Sequence, residues 1–293
     1  MSSTVSTISQ SNSALMKKPL ANSSLGDKPL ANSYMVCSTV RSGSTLLCKT
    51  LAQLKGCGQP TEYFHRHTIQ QLSLYNDPEK FLSYCEDIFQ QSLINNGTFG
   101  LKMHWRQLED FFTLARQVPQ LKTYSDKAIL DAIFPGLTFV YLRREDGVAQ
   151  AVSAAIATQT GRWEKPAKGE HSCKTSAPDK PVKFQPWHIY EWDQALKEQN
   201  QHWQQFFTDN QLTPHAVVYE TLVASFSQEI NSVLDYLNLS AEANIETLSL
   251  PTNRQASPAN QSFSQAYSRM PTPLLAAIHE VYRQLKPFPK ESA

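Results

Sequence analysis

Hydrophobic patterning is missing from the first 33 residues, which run polar and rich in Ser and Asn, and it begins abruptly at Tyr34-Met-Val-Cys-Ser38. That short apolar run suits a buried strand. Thr39 to Gly43 then read as a loop, and Ser44 to Lys55 as a helix opened by serine and closed before Gly56. A second strand is expected at Thr98 to Met103, after a turn at Asn95-Asn96-Gly97. A third, Leu137 to Leu142, runs into Arg143-Arg144 and a helix from Asp146 to about Thr158. Beyond Pro186 a long helix is expected to reach Asp209, with Trp192, Leu196, Trp203 and Phe206-Phe207 as its apolar positions. A fourth strand, His215 to Tyr219, leads into Leu222 to Leu237. There Val223, Phe226, Ile230, Val233, Leu234 and Leu237 keep helical spacing. Strands alternating with helices of this length predict an α/β fold, a parallel central sheet flanked by helices.

The domain expectations follow. Residues 1–33 are read as a disordered leader carrying a short repeat, Lys18-Pro-Leu-Ala-Asn-Ser23 recurring as Lys28-Pro-Leu-Ala-Asn-Ser33. Residues 34–293 are read as one domain. Within it Gly161 to Pro186 is polar, with six Lys/Arg against three acidic residues. It is expected to be a mobile loop and lid.

Charge narrows the classes of function. With 27 Lys+Arg against 26 Asp+Glu, the net of +1 argues against a general nucleic-acid coat, which would show a large basic excess. The longest apolar run, Leu137 to Leu142, is far from the roughly 18 residues of a membrane span. The amino terminus lacks the charge-then-apolar order of a secretory signal. Five cysteines (Cys37, Cys48, Cys57, Cys85, Cys173) with no CxxC pair suit a reducing, cytoplasmic setting.

Chemistry concentrates first at Arg41-Ser42-Gly43-Ser44-Thr45, between a buried strand and a helix N-terminus. Free N–H groups, the helix dipole, two hydroxyl types, a guanidinium and a glycine that permits close approach make an anion site. It is not a Walker A loop, whose first glycine and lysine are absent. No strand ends in a magnesium-holding aspartate, so a phosphate-type ligand without metal is expected. A second anion site is expected in Arg143-Arg144-Glu-Asp-Gly-Val-Ala-Gln-Ala-Val-Ser153, where Arg144 and Ser153 could converge. The plainer alternative pairs Arg144 with Asp146. Two anion sites at the carboxyl edge of one parallel sheet suit a ligand with a phosphate at each end.

The segments Tyr34–Leu47, Gly58–Phe64 (GQPTEYF), Phe99–Trp105 (FGLKMHW), Phe139–Trp163 and Trp203–Leu222 occur in the order found in the bacterial trehalose 2-sulfotransferase family. The chain resembles that family over roughly residues 34 to 270. The resemblance implies a sulfotransferase fold with P-loop-NTPase-like three-layer architecture. It also implies 3′-phosphoadenosine-5′-phosphosulfate (PAPS) as sulfuryl donor, 3′-phosphoadenosine-5′-phosphate (PAP) as product, and no metal. By it Arg41, Ser42, Gly43, Ser44 and Thr45 would cradle the 5′-phosphosulfate. Arg144 and Ser153 would take the 3′-phosphate, and Arg254-Gln255 would close over the nucleotide.

Glu62 matches the family's Pro-x-Glu-Phe-Phe glutamate, a general base; the alternative is a surface carboxylate beside Arg66. Lys102-Met-His104 resembles the Lys-x-His motif of the wider sulfotransferase class, which makes His104 a second base candidate and Lys102 a contact to the sulfuryl group. Glu62 is ranked ahead of His104. His65, His67 and Cys57 resemble metal ligands only by composition.

The expected partner is a small-molecule acceptor, with a homodimer left open and neither nucleic acid nor membrane involved. Acceptors considered are a hydroxyl of a sugar-like or secondary metabolite and an amine or carbamoyl nitrogen. A catalytically silent nucleotide-binding protein of the same fold is the alternative from another class.

Overall fold

Tyr34, Met35, Val36, Cys37 and Ser38 are all buried, as a strand covered on both faces must be. In this computed structural model, which describes residues 32–94, 97–163, 181–240 and 258–285, they lie in β1 (Asn32–Ser38). The other strands are β2 (Thr98–His104), β3 (Leu137–Arg143) and β4 (His215–Val218), and the sheet order is β2-β1-β3-β4. Every pairing is parallel. The chain leaves β1 towards β2 on one side and returns to β3 on the other. The carboxyl ends of β1 and β3 therefore flank a topological switch point, where open α/β sheets bind ligands.

Two-residue alternation sends each strand's side chains to opposite faces. Met35, Cys37, Phe139 and Tyr141 enter one cluster, with Leu101, Met103 and a group of stacked phenylalanines. Helices α3 (Pro78–Ile94), α4 (Trp105–Ala115), α5 (Asp126–Ile133) and α7 (Pro186–Asp209) cover that face. Tyr34, Val36, Val140 and Leu142 enter the other, covered by α1 (Ser44–Gln53) and α9 (Phe226–Tyr236). A third cluster joins α6 (Gly147–Thr160) and α7 to α10 (Pro258–Ser268) and α11 (Thr272–Leu285). Two shorter helices, α2 (Arg66–Gln71) and α8 (Tyr219–Ala224), complete the described elements.

Several expectations need correction. β1 starts at Asn32, so the last two residues of the second repeat belong to the sheet; Ser33 is buried and pairs with Phe99 and Leu137. The rest of the leader, and residues 164–180 of the expected lid, lie outside the described residues. The single helix expected over Leu222 to Leu237 is two, separated at Ser225, whose φ of −129° is not helical. Apolar periodicity runs across this break because α9 packs on the same face that Leu222 of α8 helps to fill. Tyr219 is not the end of β4 but the first residue of α8.

Gly100 sits opposite Tyr34 in the β1–β2 pairing. A Cβ there would lie 2.6 Å from the Tyr34 ring and hydroxyl. That hydroxyl donates to the carbonyl of Cys57 at 2.7 Å, so the ring cannot retreat without losing a buried hydrogen bond. Gly100→Ala is predicted to destabilise the fold by about 1–3 kcal/mol. Urea denaturation should show a lower midpoint at an unchanged slope.

Candidate functional site

The loop 39–43 leaves β1 at the switch point and turns twice into left-handed backbone, at Arg41 (φ 61°) and Gly43 (φ 96°). Gly43 is required there on two counts. It caps α1 with positive φ, and a Cβ would collide with the ring of Tyr219. Ser42 is fully buried, and its hydroxyl has no hydrogen-bond partner among the described residues. Gln150, buried on α6, braces the loop from behind. Its side-chain N–H donates to the Thr39 hydroxyl at 2.9 Å and to the Val40 carbonyl at 2.7 Å. Ser44 and Thr45 open α1, so their N–H groups lie in its first turn, at the positive end of the helix dipole.

The two anion sites expected from the sequence are joined. Arg41 Nε donates to the Ser153 hydroxyl at 3.0 Å, and another guanidinium N–H donates to the Trp163 carbonyl. Ser153 accepts here, which leaves its own proton to donate. Arg144, at the end of β3, stacks its guanidinium over Tyr219, 4.9 Å from the ring centroid. It does not pair with Asp146. That carboxylate instead caps α6, accepting from the Ala149 N–H at 2.9 Å. Glu220 takes the role: it accepts the N–H groups of Glu145 and Asp146 at 3.0 and 3.2 Å and lies 3.7 Å from Arg144 Nε. At 3.7 Å this is an ion pair without a hydrogen bond, and Arg144 Nε is a buried donor with no hydrogen-bond partner among the described residues.

A third group assembles at the end of β2. The segment around Thr61 lies parallel to this strand, the Lys102 N–H donating to the Thr61 carbonyl at 2.9 Å. Glu62 is thereby set beside Lys102 and His104, which share one strand face. Lys102, itself buried, forms an ion pair with Glu62. His104 Nε2 lies 3.8 Å from the same carboxylate oxygen, and its Nδ1 is 3.1 Å from the Ser38 hydroxyl. Trp203 Nε1 donates to the Ser38 carbonyl at 3.0 Å, which fixes that residue.

Opposing effects set the ionisation. Burial alone would raise Glu62, but the positive charge of its neighbours and hydrogen bonds from Lys102 and Gln107 hold it down at about 2. Burial pushes His104 down to about 4, with Glu62 opposing and Lys102 reinforcing the shift. At neutral pH the cluster is a carboxylate, an ammonium and a neutral imidazole.

The structure therefore brings together Glu62, Lys102 and His104, and separately Arg41, Ser42, Gly43, Ser44 and Thr45 with Arg144 and Ser153. Arg254 and Gln255 lie outside the described residues. His65 caps α2 by accepting the His67 N–H at 3.2 Å. Among the described residues no group of three His, Cys, Asp or Glu side chains is arranged to hold a metal. No described helix is long and apolar enough to cross a membrane. Five residues that matter carried no pattern of their own: Ser38, Gln107, Gln150, Tyr219 and Glu220. Ser38, Gln150 and Tyr219-Glu220 lie inside segments of the family resemblance (Tyr34–Leu47, Phe139–Trp163 and Trp203–Leu222), which is the signal that could have found them; Gln107 lies outside all of them.

The chain is similar to known proteins. A family model described as Stf0 sulphotransferase matches residues 33–270. A trehalose 2-sulfotransferase of Mycobacterium tuberculosis is 28% identical over 227 residues, covering 69% of this chain and 82% of its own. One from Mycolicibacterium smegmatis is 24% identical over 238 residues, covering 70% and 84%. A solved sulfotransferase domain from the Synechococcus PCC 7002 olefin synthase aligns over 90% of this chain and 98% of its own, at 17% identity and a TM-score of 0.35.

The depressed ionisations predict how stability responds to acid. For His104 the folded value of about 4 lies below the ordinary 6.5, so the unfolded chain binds more protons between them and stability falls as pH drops through that window. For Glu62 the window runs from 4.5 down to about 2, and the sign is the same. Urea midpoints measured against pH should decline in two stages. His104→Asn should flatten the upper stage and Glu62→Gln the lower one. Midpoints independent of pH between 6.5 and 4 would contradict the buried neutral histidine.

Proposed function

This chain belongs to the Stf0 sulphotransferase family, and on that premise we propose that it transfers a sulfuryl group from PAPS to a hydroxyl of a small sugar-like or secondary metabolite, releasing PAP. The observation that carries the reading is the junction of the two anion sites. Arg41 hydrogen-bonds Ser153, while the Ser42 hydroxyl and Arg144 Nε, one in each arm, are buried polar atoms with no hydrogen-bond partner among the described residues. Buried donors without partners are costly, and an anion at each end of a nucleotide would satisfy both.

The roles follow from chemistry. N–H groups of the loop 41–45 and the α1 dipole receive the 5′-phosphosulfate, whose negative charge grows towards the leaving group as transfer proceeds; donors already fixed in place do most of the work. Arg144 and the Ser153 hydroxyl receive the 3′-phosphate. The donor supplies an activated sulfuryl group. Lys102 neutralises charge on that group, and Glu62 takes the proton from the acceptor hydroxyl. In the ligand-free arrangement His104, Lys102 and Gln107 together hold down the basicity of Glu62. An anion drawing Lys102 away would restore part of it, which ties base strength to donor occupancy. Support for a hydroxyl acceptor comes from the two relatives named for trehalose.

Calorimetry with PAP, PAPS and adenosine 5′-phosphosulfate tests the two-ended site. The two 3′-phosphorylated nucleotides should bind far more tightly, and Arg144→Ala should weaken them by about 1.5–3 kcal/mol, the usual range for hydrogen bonds to charged groups. Equal affinity for all three would remove the second anion site. The base is tested by turnover of labelled donor read by mass spectrometry, with trehalose as the first acceptor tried. Glu62→Gln should lower kcat by roughly 10²–10⁴-fold with donor affinity nearly unchanged, and His104→Ala should act mainly on acceptor KM. The reverse order would give the proton to His104.

A further inference from the structure

We propose that Gln107 is a positioning residue that gives the two carboxylate oxygens of Glu62 separate tasks, reserving one of them for the acceptor proton. The inference rests on the reading of Glu62 as the base. Gln107 lies in the first turn of α4, only 8% exposed, and both ends of its carboxamide are used. Its Nε2 donates to Glu62 Oε2 at 2.6 Å, and its Oε1 accepts the His104 backbone N–H at 2.9 Å. The other oxygen, Oε1, is the one paired with Lys102 and facing His104 Nε2. Gln107 therefore stops the carboxylate from rotating about its terminal bond, a torsion that is otherwise soft. The oxygen beside Lys102, where the sulfuryl group is expected, keeps its lone pairs towards the reaction. The same amide ties Glu62 to the backbone that carries His104, so the two candidate bases are held as one unit.

The titratable groups facing Glu62 are Lys102 and His104, both on β2. His65, at the start of α2, bears on His104. Arg66 and Asp110, further along α2 and α4, pair with each other at 3.4 Å. From α4 itself the nearest group is the neutral Gln107.

Two variants separate positioning from simple capping. Gln107→Met removes both hydrogen bonds. Gln107→Glu keeps an oxygen for the His104 N–H but replaces the hydrogen bond to Glu62 with a second carboxyl group. Three readings are made on each, beside wild type and Glu62→Gln. These are a carbon-13 NMR titration of the Glu62 side-chain carboxyl without ligand, PAP affinity, and release or transfer of labelled sulfate from PAPS with water or trehalose as acceptor. A hydrogen bond that favours the charged form lowers its pKa. Its loss in Gln107→Met should therefore raise the Glu62 titration by about one to two pH units. In Gln107→Glu the two carboxyl groups should share a proton and titrate higher as a pair. Both variants should lose about 10–100-fold in kcat, the scale of a misplaced reacting group, while PAP affinity stays unchanged.

If Gln107 only caps α4, Gln107→Met will lose thermal stability while its Glu62 titration and kcat match wild type, and the proposal is overturned. If Glu62→Gln itself turns over like wild type, the assignment of the base fails. That result is distinct from a failure confined to the Gln107 variants.

Discussion

Arg41 reaches from the loop after β1 to Ser153 on the helix after β3, and the geometry of both proposed anion-binding arms depends on that crossing. β1 and β3 are hydrogen-bonded neighbours, so the loops at their carboxyl ends are close by construction. Closeness does not fix direction, however. Direction comes from a small set of contacts between the arms. Gln150 on α6 holds the Thr39 hydroxyl and the Val40 carbonyl, and Tyr219 fills the space over Gly43 while stacking on Arg144. Glu220 clamps the backbone of Glu145 and Asp146. The site is thereby preorganised: its donors are positioned by the fold before any ligand arrives, which is where electrostatic catalysis gains most.

The second constraint is the charge buried beside β2. An ammonium and a carboxylate taken out of water cost several kcal/mol each unless paired and hydrogen-bonded. Lys102 and Glu62 meet that condition through each other and through Gln107. A hydrophobic replacement would hold the sheet equally well, so the pair is better understood as chemistry than as stability. On the proposed function it holds a base and a cation in mutual neutralisation beside the neutral His104.

Much of the fold was legible in the sequence because β1 is buried on both faces and announces itself as an unbroken apolar run. The loop that follows has few conformations open to it. Lys102 and His104 were legible through their resemblance to the Lys-x-His motif of the wider sulfotransferase class, and a spacing of two on β2 puts them on one face. Glu62 was not placeable beside them from residues alone, since only the backbone bridge between Thr61 and Leu101 brings that segment to β2. Gln107, Gln150 and Glu220 are ordinary polar residues in sequence, and their importance lies wholly in long-range hydrogen bonds. The break at Ser225 stayed hidden because the apolar positions of α8 and α9 stay in phase across it. The start of β1 at Asn32 stayed hidden because backbone pairing with β2 and β3, not side-chain hydrophobicity, extends the strand.

The central claim is that one nucleotide bridges the two arms, and an experimental structure of the protein with PAP bound tests it most directly. The account predicts the 5′-phosphate on the N–H groups of residues 41–45 and the 3′-phosphate between Arg144 and Ser153, with the Ser42 hydroxyl and Arg144 Nε both hydrogen-bonded. A 3′-phosphate pointing into solvent, or a nucleotide seated away from the carboxyl ends of β1 and β3, would contradict it.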